Sequence, residues 1–175
     1  VLTLRILAAI HKEFQQPLNV AYVDVKAAFD SVDHEALWKI MRSFGIPRKL
    51  LSFVIDLHQG TTACVRTAAG VSASFPTSSG VRQGCVLAPS LFCAGIDWVM
   101  SRCEGELGID VGSASFSDLD YADDAALFST DPSRWTAILS RFSDEAATIG
   151  LMPSWKKTKA QNLVAGVPPP NISIM

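Results

Sequence analysis

The segment LDYADDAALF, residues 119–128, sets Asp123 and Asp124 side by side inside an apolar run, with Asp120 just ahead of them. Two carboxylates about 4 Å apart repel by roughly 4 kcal/mol at the effective dielectric of a protein near its surface. Water, a basic side chain or a metal ion has to offset that cost. A second acid in a similar setting is Asp24, which closes the apolar stretch AYVD. Taken singly, a strand-end Asp is more often a turn or helix cap. If the two segments are neighbours in one sheet, however, three carboxylates converge at one edge, and a hard divalent cation is what neutralises such a cluster. Two Mg²⁺ ions about 4 Å apart, held by carboxylates and substrate phosphates, are a standard way to run an in-line phosphoryl displacement.

The elements around these acids follow from periodicity and punctuation. LNVAYVDV is β-branched and apolar and reads as a strand ending at Asp24. FSDLDYADDAALFS reads as two short strands about a tight turn at the acidic pair, because Asp tolerates unusual turn dihedrals. LTLRILAAIHKEF carries Leu4, Leu7, Ala8 and Phe14 in helical phase. DSVDHEALWKIMRSFGIP has capping residues early, then Leu37, Ile40, Met41 and Phe44, with Gly45 and Pro47 as stop signals. A further helix follows in PRKLLSFVIDLHQG. TACVRTAAGVSASFPTSSG alternates and turns at Ala69-Gly70, the pattern of a hairpin. APSLFCAGIDWVM is a helix begun by Pro89 and Ser90. DPSRWTAILSRFSDEAATIG reads as one helix with Asp131 as N-cap, Pro132 at its first position and Gly150 as C-cap. Strands and helices mixed in this order predict an α+β fold, an antiparallel sheet with helices packed on one face.

Composition bounds the rest. The chain of 175 residues is 49% hydrophobic and 18% charged, which is the balance of a folded domain with a real core. No apolar stretch reaches the roughly 20 residues that span a bilayer, and CVLAPSLFCAGIDWVM is interrupted by Pro89 and Asp97. No signal sequence opens the chain, so an intracellular, soluble protein without membrane contact is expected. The four cysteines and three histidines are scattered, which argues against a zinc site and for reduced thiols. A formal net charge of -2 is unlike that of a free-standing nucleic-acid binder. The apolar opening and the proline-rich close, GVPPPNISIM, both read as cut from something longer.

Four motifs occur in order: AYVDVKAAFDSV, SSGVRQGCVLAPSLF, YADD and GLMPSWKKTK. Together they resemble successive motifs of reverse transcriptases, with the non-LTR retrotransposon type the nearest in pattern. The resemblance covers residues from about 20 to 164. It implies a polymerase palm over 1–164, with 31–87 contributing part of the fingers, and a tail over 165–175 leading toward a missing thumb. It implies RNA-directed DNA synthesis by two-metal nucleotidyl transfer, with RNA template, DNA primer and dNTPs as partners alongside the remaining fingers and thumb of a parent polyprotein. The basic surface that nucleic acid requires would then sit mostly on those other parts.

Residue roles carry over on the matching positions. Asp24 and Asp123 match the two metal-binding aspartates, Asp124 the second acid of the YxDD box, and the carbonyl of Val25 a further ligand. The ions implied are two Mg²⁺, with Mn²⁺ able to substitute. Phe29 matches the aromatic steric gate, whose flat ring leaves no room for a 2′-hydroxyl, the group that separates ribo- from deoxyribonucleotides. Gln83 and Gly84 match the glutamine–glycine pair that meets nucleotide and template, and Arg82 beside them suits a phosphate. Lys157 matches the lysine that donates a proton to, or pairs with, the leaving pyrophosphate. Pro153 and Ser154 depart from the family's apolar residue and asparagine, and Pro153 is expected to bend the segment that aims Lys157. Cys93 also departs, standing where many relatives carry asparagine.

Three other readings compete. One is a catalytically inert palm that binds or scaffolds, and another is an RNA-making or telomerase-like relative, against which Phe29 argues in the first case. A two-metal nuclease fits least, since the glutamine–glycine motif has no role there. An element of this type would have to reach the nucleus as well as the cytoplasm.

Overall fold

The computed structural model describes residues 2–103, 105, 107–121 and 124–164. Helix α1 (Leu2–Glu13) leads to strand β1 (Asn19–Lys26), the short helix α2 (Ala28–Ser31), α3 (His34–Ser43) and α4 (Arg48–His58). Four two-residue strands follow, β2 (Thr62–Ala63), β3 (Arg66–Thr67), β4 (Gly70–Val71) and β5 (Phe75–Pro76), and then the long helix α5 (Ala88–Cys103). A small hairpin of β6 (Ile109–Val111) and β7 (Ala114–Phe116) precedes β8 (Asp118–Tyr121) and β9 (Asp124–Ser129). After a 3₁₀ turn (Pro132–Arg134) come α6 (Trp135–Ala147), β10 (Met152–Pro153) and β11 (Lys159–Asn162).

The central sheet has five strands in the order β10-β1-β9-β8, with β11 also paired to β1, and all its pairings are antiparallel. Alternation along β1 decides what each face meets. Ala21, Val23 and Val25 point into the main core with Phe92 and Ile96 of α5, Leu139 and Phe142 of α6, and Leu37 of α3. Val20 points the other way, with Ala126 and Phe128 of β9, into a smaller core closed by Leu7 of α1 and Ile109 of β6. The main helical layer therefore lies on one face, as the α+β reading requires, while α1 and the β6–β7 hairpin cover part of the other. No helix among the described residues is long and apolar enough to cross a membrane.

Several elements differ in detail from the sequence reading. The helix expected from DSVDHEALWKIMRSFGIP is split, because backbone groups at the break are engaged elsewhere. The carbonyls of Phe29 and Val32 accept from Val81 N (2.6 Å) and Gly80 N (2.8 Å), and Asp33 N donates to the Ile149 carbonyl (2.9 Å). Asp33 then restarts the helix as N-cap, its Oδ1 accepting from Ala36 N at 2.8 Å. The expected hairpin is a pair of nested ladders, β2–β5 around β3–β4, turning at Ala68-Ala69, one residue earlier than read.

The helix expected from Asp131 to Gly150 begins as a 3₁₀ turn, where Asp131 Oδ1 accepts from Ser133 N at 2.9 Å. It ends before Gly150: Thr148 holds the C-cap position, and Gly150 turns the chain toward β10 at φ 79°. Phe14 and Phe44, read as buried-face residues, are largely exposed. The β6–β7 hairpin and strands β10 and β11 are additions the sequence reading lacked.

Candidate active site

Antiparallel register brings two of the expected acids together. Asp24 near the end of β1 stands directly opposite Asp124 at the start of β9, and Tyr121 of β8 is Asp124's partner on the other side. Asp123 falls between β8 and β9 in sequence and lies outside the described residues. Like charges directly opposite in a sheet are destabilising, so this edge asks for a cation. Lys157 supplies one here. Its Nζ donates to Asp24 Oδ1 at 3.2 Å and lies 3.2 Å from Oδ2, but off the line of a hydrogen bond, leaving that buried oxygen without a hydrogen-bond partner.

The main chain explains why Lys157 arrives there. Ser154 N donates to the Asp24 carbonyl at 2.7 Å, and Ser154's own carbonyl accepts from Lys157 N and Thr158 N at 2.9 Å each, closing a turn. Pro153 does not deflect this segment: it is buried in β10 opposite Val25, and Lys157 still reaches Asp24. A cleft of about 670 Å³ opens beside the pair, bounded by Thr3, Leu4, Tyr22, Asp24, Asp124 and Lys157.

Phe29, on α2, is half-buried and stacks on Phe92 of α5, with ring centroids 4.8 Å apart and planes 17° from parallel. A ring backed in this way cannot recede from a group pressed against its free side. The turn into α2 is made by Ala27 at φ 45°, ψ 41°, a left-handed conformation that non-glycine residues avoid and that clusters at functional sites. Gln83 donates from Nε2 to Asp30 Oδ1 (3.2 Å) and Oδ2 (3.4 Å), next to Phe29 in sequence. Arg82 and Gly84 flank it, both exposed, and Gly84 has open space where a side chain would stand. A second groove, about 840 Å³, runs past Asp30, His34, His58, Thr61, Arg82 and Gln83.

Asp120 borders the same cleft, but its carboxylate does not face Asp24 and Asp124. Alternation turns it with Asp118 to the α5 side of the sheet, where Asp97 and Cys93 lie. Desolvation of the carboxyl first, then the charge and hydrogen bond of Asp118 and the charge of Asp97, push Asp120 up to about 7, although the residue as a whole is exposed. Burial and the charge of Asp118 raise Asp97 in the same direction, and burial with the charges of Asp97 and Asp120 raises the Cys93 thiol.

A consequence for stability follows. Folded Asp120 keeps a proton that the unfolded chain has already released above pH ~4. Its contribution is therefore fully present below about pH 4 and is lost as the pH climbs through about 7. Thermal unfolding followed from pH 4 to 8 is expected to show a falling midpoint, and Asp120→Asn to flatten that slope. An unchanged slope in the variant would remove Asp120 from the titration.

The chain is similar to known proteins. The family profile described as reverse transcriptase (RNA-dependent DNA polymerase) matches residues 4–166. The chain belongs to the reverse transcriptase family. Among curated proteins it is similar to the retrovirus-related Pol polyprotein from the type-2 retrotransposable element R2DM of Drosophila melanogaster, 29% identical over 146 residues, covering 83% of this chain and 14% of that protein. It is also similar to the Pol polyprotein from the type-1 retrotransposable element R2 of Nasonia vitripennis, 27% identical over 169 residues, covering 88% of this chain and 16% of that one. The chain thus spans well under a fifth of these relatives. Among solved structures, telomerase from Candida tropicalis with a fragment of telomeric RNA superposes over 94% of this chain and 29% of that one, at a TM-score of 0.66 and 15% identity. Telomerase from Candida albicans covers 91% of this chain at a TM-score of 0.65. These two likenesses are of fold.

No group of three His, Cys, Asp or Glu side chains that could hold a metal gathers among the described residues. Two of the three expected acids face one another there, and the third, Asp123, is not among those residues. The donors present are hard carboxylate oxygens, one of them buried without a hydrogen bond, which is the set that suits Mg²⁺ or Mn²⁺.

Proposed function

We propose that this chain is the palm of an RNA-directed DNA polymerase, with residues 31–87 forming part of its fingers, that extends a DNA primer along an RNA template. The observation that carries the reading is the facing of Asp24 and Asp124 across neighbouring strands, beside Lys157 and just ahead of the backed ring of Phe29. Asp24, Asp123 and Asp124, with the carbonyl of Val25, would hold two Mg²⁺ ions, for which Mn²⁺ can substitute. Bound there, such ions lower the pKa of the primer hydroxyl and neutralise charge on the triphosphate.

The remaining work falls to the chain itself. In the transfer, a bond forms between the primer 3′-oxygen and the α-phosphorus while the bond from that phosphorus to pyrophosphate breaks. Asp24 and Asp124 fix the edge at which these atoms meet. Lys157, its side chain 70% exposed, pairs among the described residues with Asp24, and from there it can swing to the departing pyrophosphate as proton donor or ionic partner. Phe29 closes the space under the sugar, and Gln83, Arg82 and Gly84 border the nucleotide and template. The remaining fingers and the thumb of a polyprotein would supply the rest of the nucleic-acid grip.

The gate gives a direct test. In the full-length gene product, Phe29→Val is expected to lower discrimination against ribonucleotides by about 10- to 100-fold while dNTP incorporation persists. Single-nucleotide extension of a DNA primer on an RNA template measures both. Undiminished discrimination would remove Phe29 from the gate, and no extension with any dNTP would sink the polymerase reading.

A further inference from the structure

We infer that Asp30 is a positioning residue for nucleotide recognition: its carboxylate holds the Gln83 amide with the –NH₂ turned inward, so that Gln83 offers its carbonyl Oε1 outward. The inference rests on the reading of Gln83 as a nucleotide contact and goes beyond it by naming the residue that sets which end of the amide the nucleotide meets.

The orientation follows from chemistry. An ionised carboxylate only accepts hydrogen bonds, and an amide has one donating and one accepting end. Gln83 Nε2 lies 3.2 Å and 3.4 Å from the two oxygens of Asp30. The reverse orientation would set carbonyl oxygen against carboxylate oxygen, acceptor against acceptor. With the amino group engaged inward, the outward end can only accept, and it suits an O–H or N–H of the bound nucleotide.

Both side chains are exposed, so water competes for this pair, and the backbone has to hold it together. It does so at several points. Gly80 packs so closely that a Cβ there would stand 2.8 Å from the Cα and carbonyl oxygen of Asp30 and from the Phe29 carbonyl oxygen. Val81 N donates to the Phe29 carbonyl (2.6 Å), Gly80 N to the Val32 carbonyl (2.8 Å), and Ser79 Oγ to the Asp30 carbonyl (3.1 Å). His34 Nε2 lies 2.6 Å from the Gly80 carbonyl oxygen, which fixes that nitrogen as the donor. The two side chains thus project from main-chain segments already locked to each other, so little freedom remains to be lost when they pair. The same lock carries Phe29, so the ring under the sugar and the amide of Gln83 are set as one unit.

A purely structural role for Asp30 is separable. It stands in the first turn of α2, where a negative charge near a helix N-terminus is stabilising. Asp30→Asn removes the charge but keeps an oxygen that accepts from Gln83. Asp30→Leu keeps the size and removes the acceptor.

The experiment is steady-state single-nucleotide incorporation by the full-length gene product, with Asp30→Leu, Asp30→Asn, Gln83→Ala and the Asp30→Leu/Gln83→Ala double variant. Asp30→Leu is expected to raise the KM for dNTP on the order of tenfold with kcat changed far less, the signature of lost binding. Asp30→Asn is expected to recover most of that loss. In the Gln83→Ala background, Asp30→Leu is expected to add nothing, because the two act through one contact. Wild-type KM in Asp30→Leu, an equal added loss in the Gln83→Ala background, or an Asn variant as impaired as the Leu variant with an unchanged unfolding midpoint would each overturn the inference. Should Asp30→Leu not fold, the Asn variant and the Gln83 background decide, using Asp30→Ser in its place. Wild-type extension that Asp24→Ala abolishes keeps the polymerase reading intact whatever Asp30 does, so the two failures are distinguishable.

Discussion

Asp24→Ala is expected to cut primer extension by the full-length gene product about a thousandfold, the ~4 kcal/mol of barrier that a preorganised electrostatic group in an active site supplies. The same substitution is expected to leave the unfolding midpoint unchanged or raise it. Asp24 faces Asp124 directly, and removing one of two opposed carboxylates relieves a repulsion. The ion pair it gives up is to Lys157, whose side chain is 70% exposed, and exposed pairs contribute little. Loss of activity with no loss of stability marks a group retained for chemistry at the expense of the fold. Lys157→Met supplies the converse arm. With the competing ammonium gone from Asp24, Mn²⁺ titrated in the absence of nucleotide and followed by its spin resonance is expected to bind more tightly, while extension slows. A stability loss in Asp24→Ala that accounts for the lost activity would overturn the assignment, as would undiminished extension.

The facing of Asp24 and Asp124 was legible in the sequence because each sits where local rules concentrate information. β-Branched residues announce β1 and end it near Asp24, and adjacent aspartates inside an apolar run announce a turn. Two-residue alternation also separates Asp120 from Asp124. Asp120 stands on the face toward α5 with Asp118, and its proximity in sequence to the acidic pair says nothing about proximity in the site. What the sequence did not disclose is set by distant partners. The break between α2 and α3 exists because Gly80, Val81 and Ile149 take up backbone groups of residues 29–33, and no window around Val32 contains them. Strands β10 and β11 are too short to show a period, and they are strands because β1 has one edge that β9 leaves open. Asp30 is hidden in the sequence for a related reason. Beside Ser31 and Asp33 it reads as one more capping residue, and only the fold brings Gln83 to it.

The packing of the 29–33 segment yields the largest expected effect on stability, and the chain contains its own controls. Gly80 and Gly84 share a φ of 85°, yet a Cβ at Gly80 would stand 2.8 Å from backbone atoms of Phe29 and Asp30, whereas Gly84 has nothing within 4 Å. Gly150 and Gly45 form a second pair at φ 79°: a Cβ at Gly150 would stand 2.5 Å from the Ser31 carbonyl oxygen, and Gly45 again has nothing within 4 Å. Alanine at Gly84 or Gly45 is expected to cost only the left-handed backbone term, about 1–2 kcal/mol. Alanine at Gly80 or Gly150 is expected to cost a further ~1–3 kcal/mol or more, because the clashing atoms are main chain and cannot rotate away. Denaturant unfolding of the four variants isolates that difference, since the backbone term cancels within each pair. Equal costs within a pair would mean that the loops separate freely. Unequal costs would mean that the segment bearing Phe29 and Asp30 is gripped from both sides, by Gly80 and by Gly150, and that the position of the Phe29 ring is a property of three segments packed together.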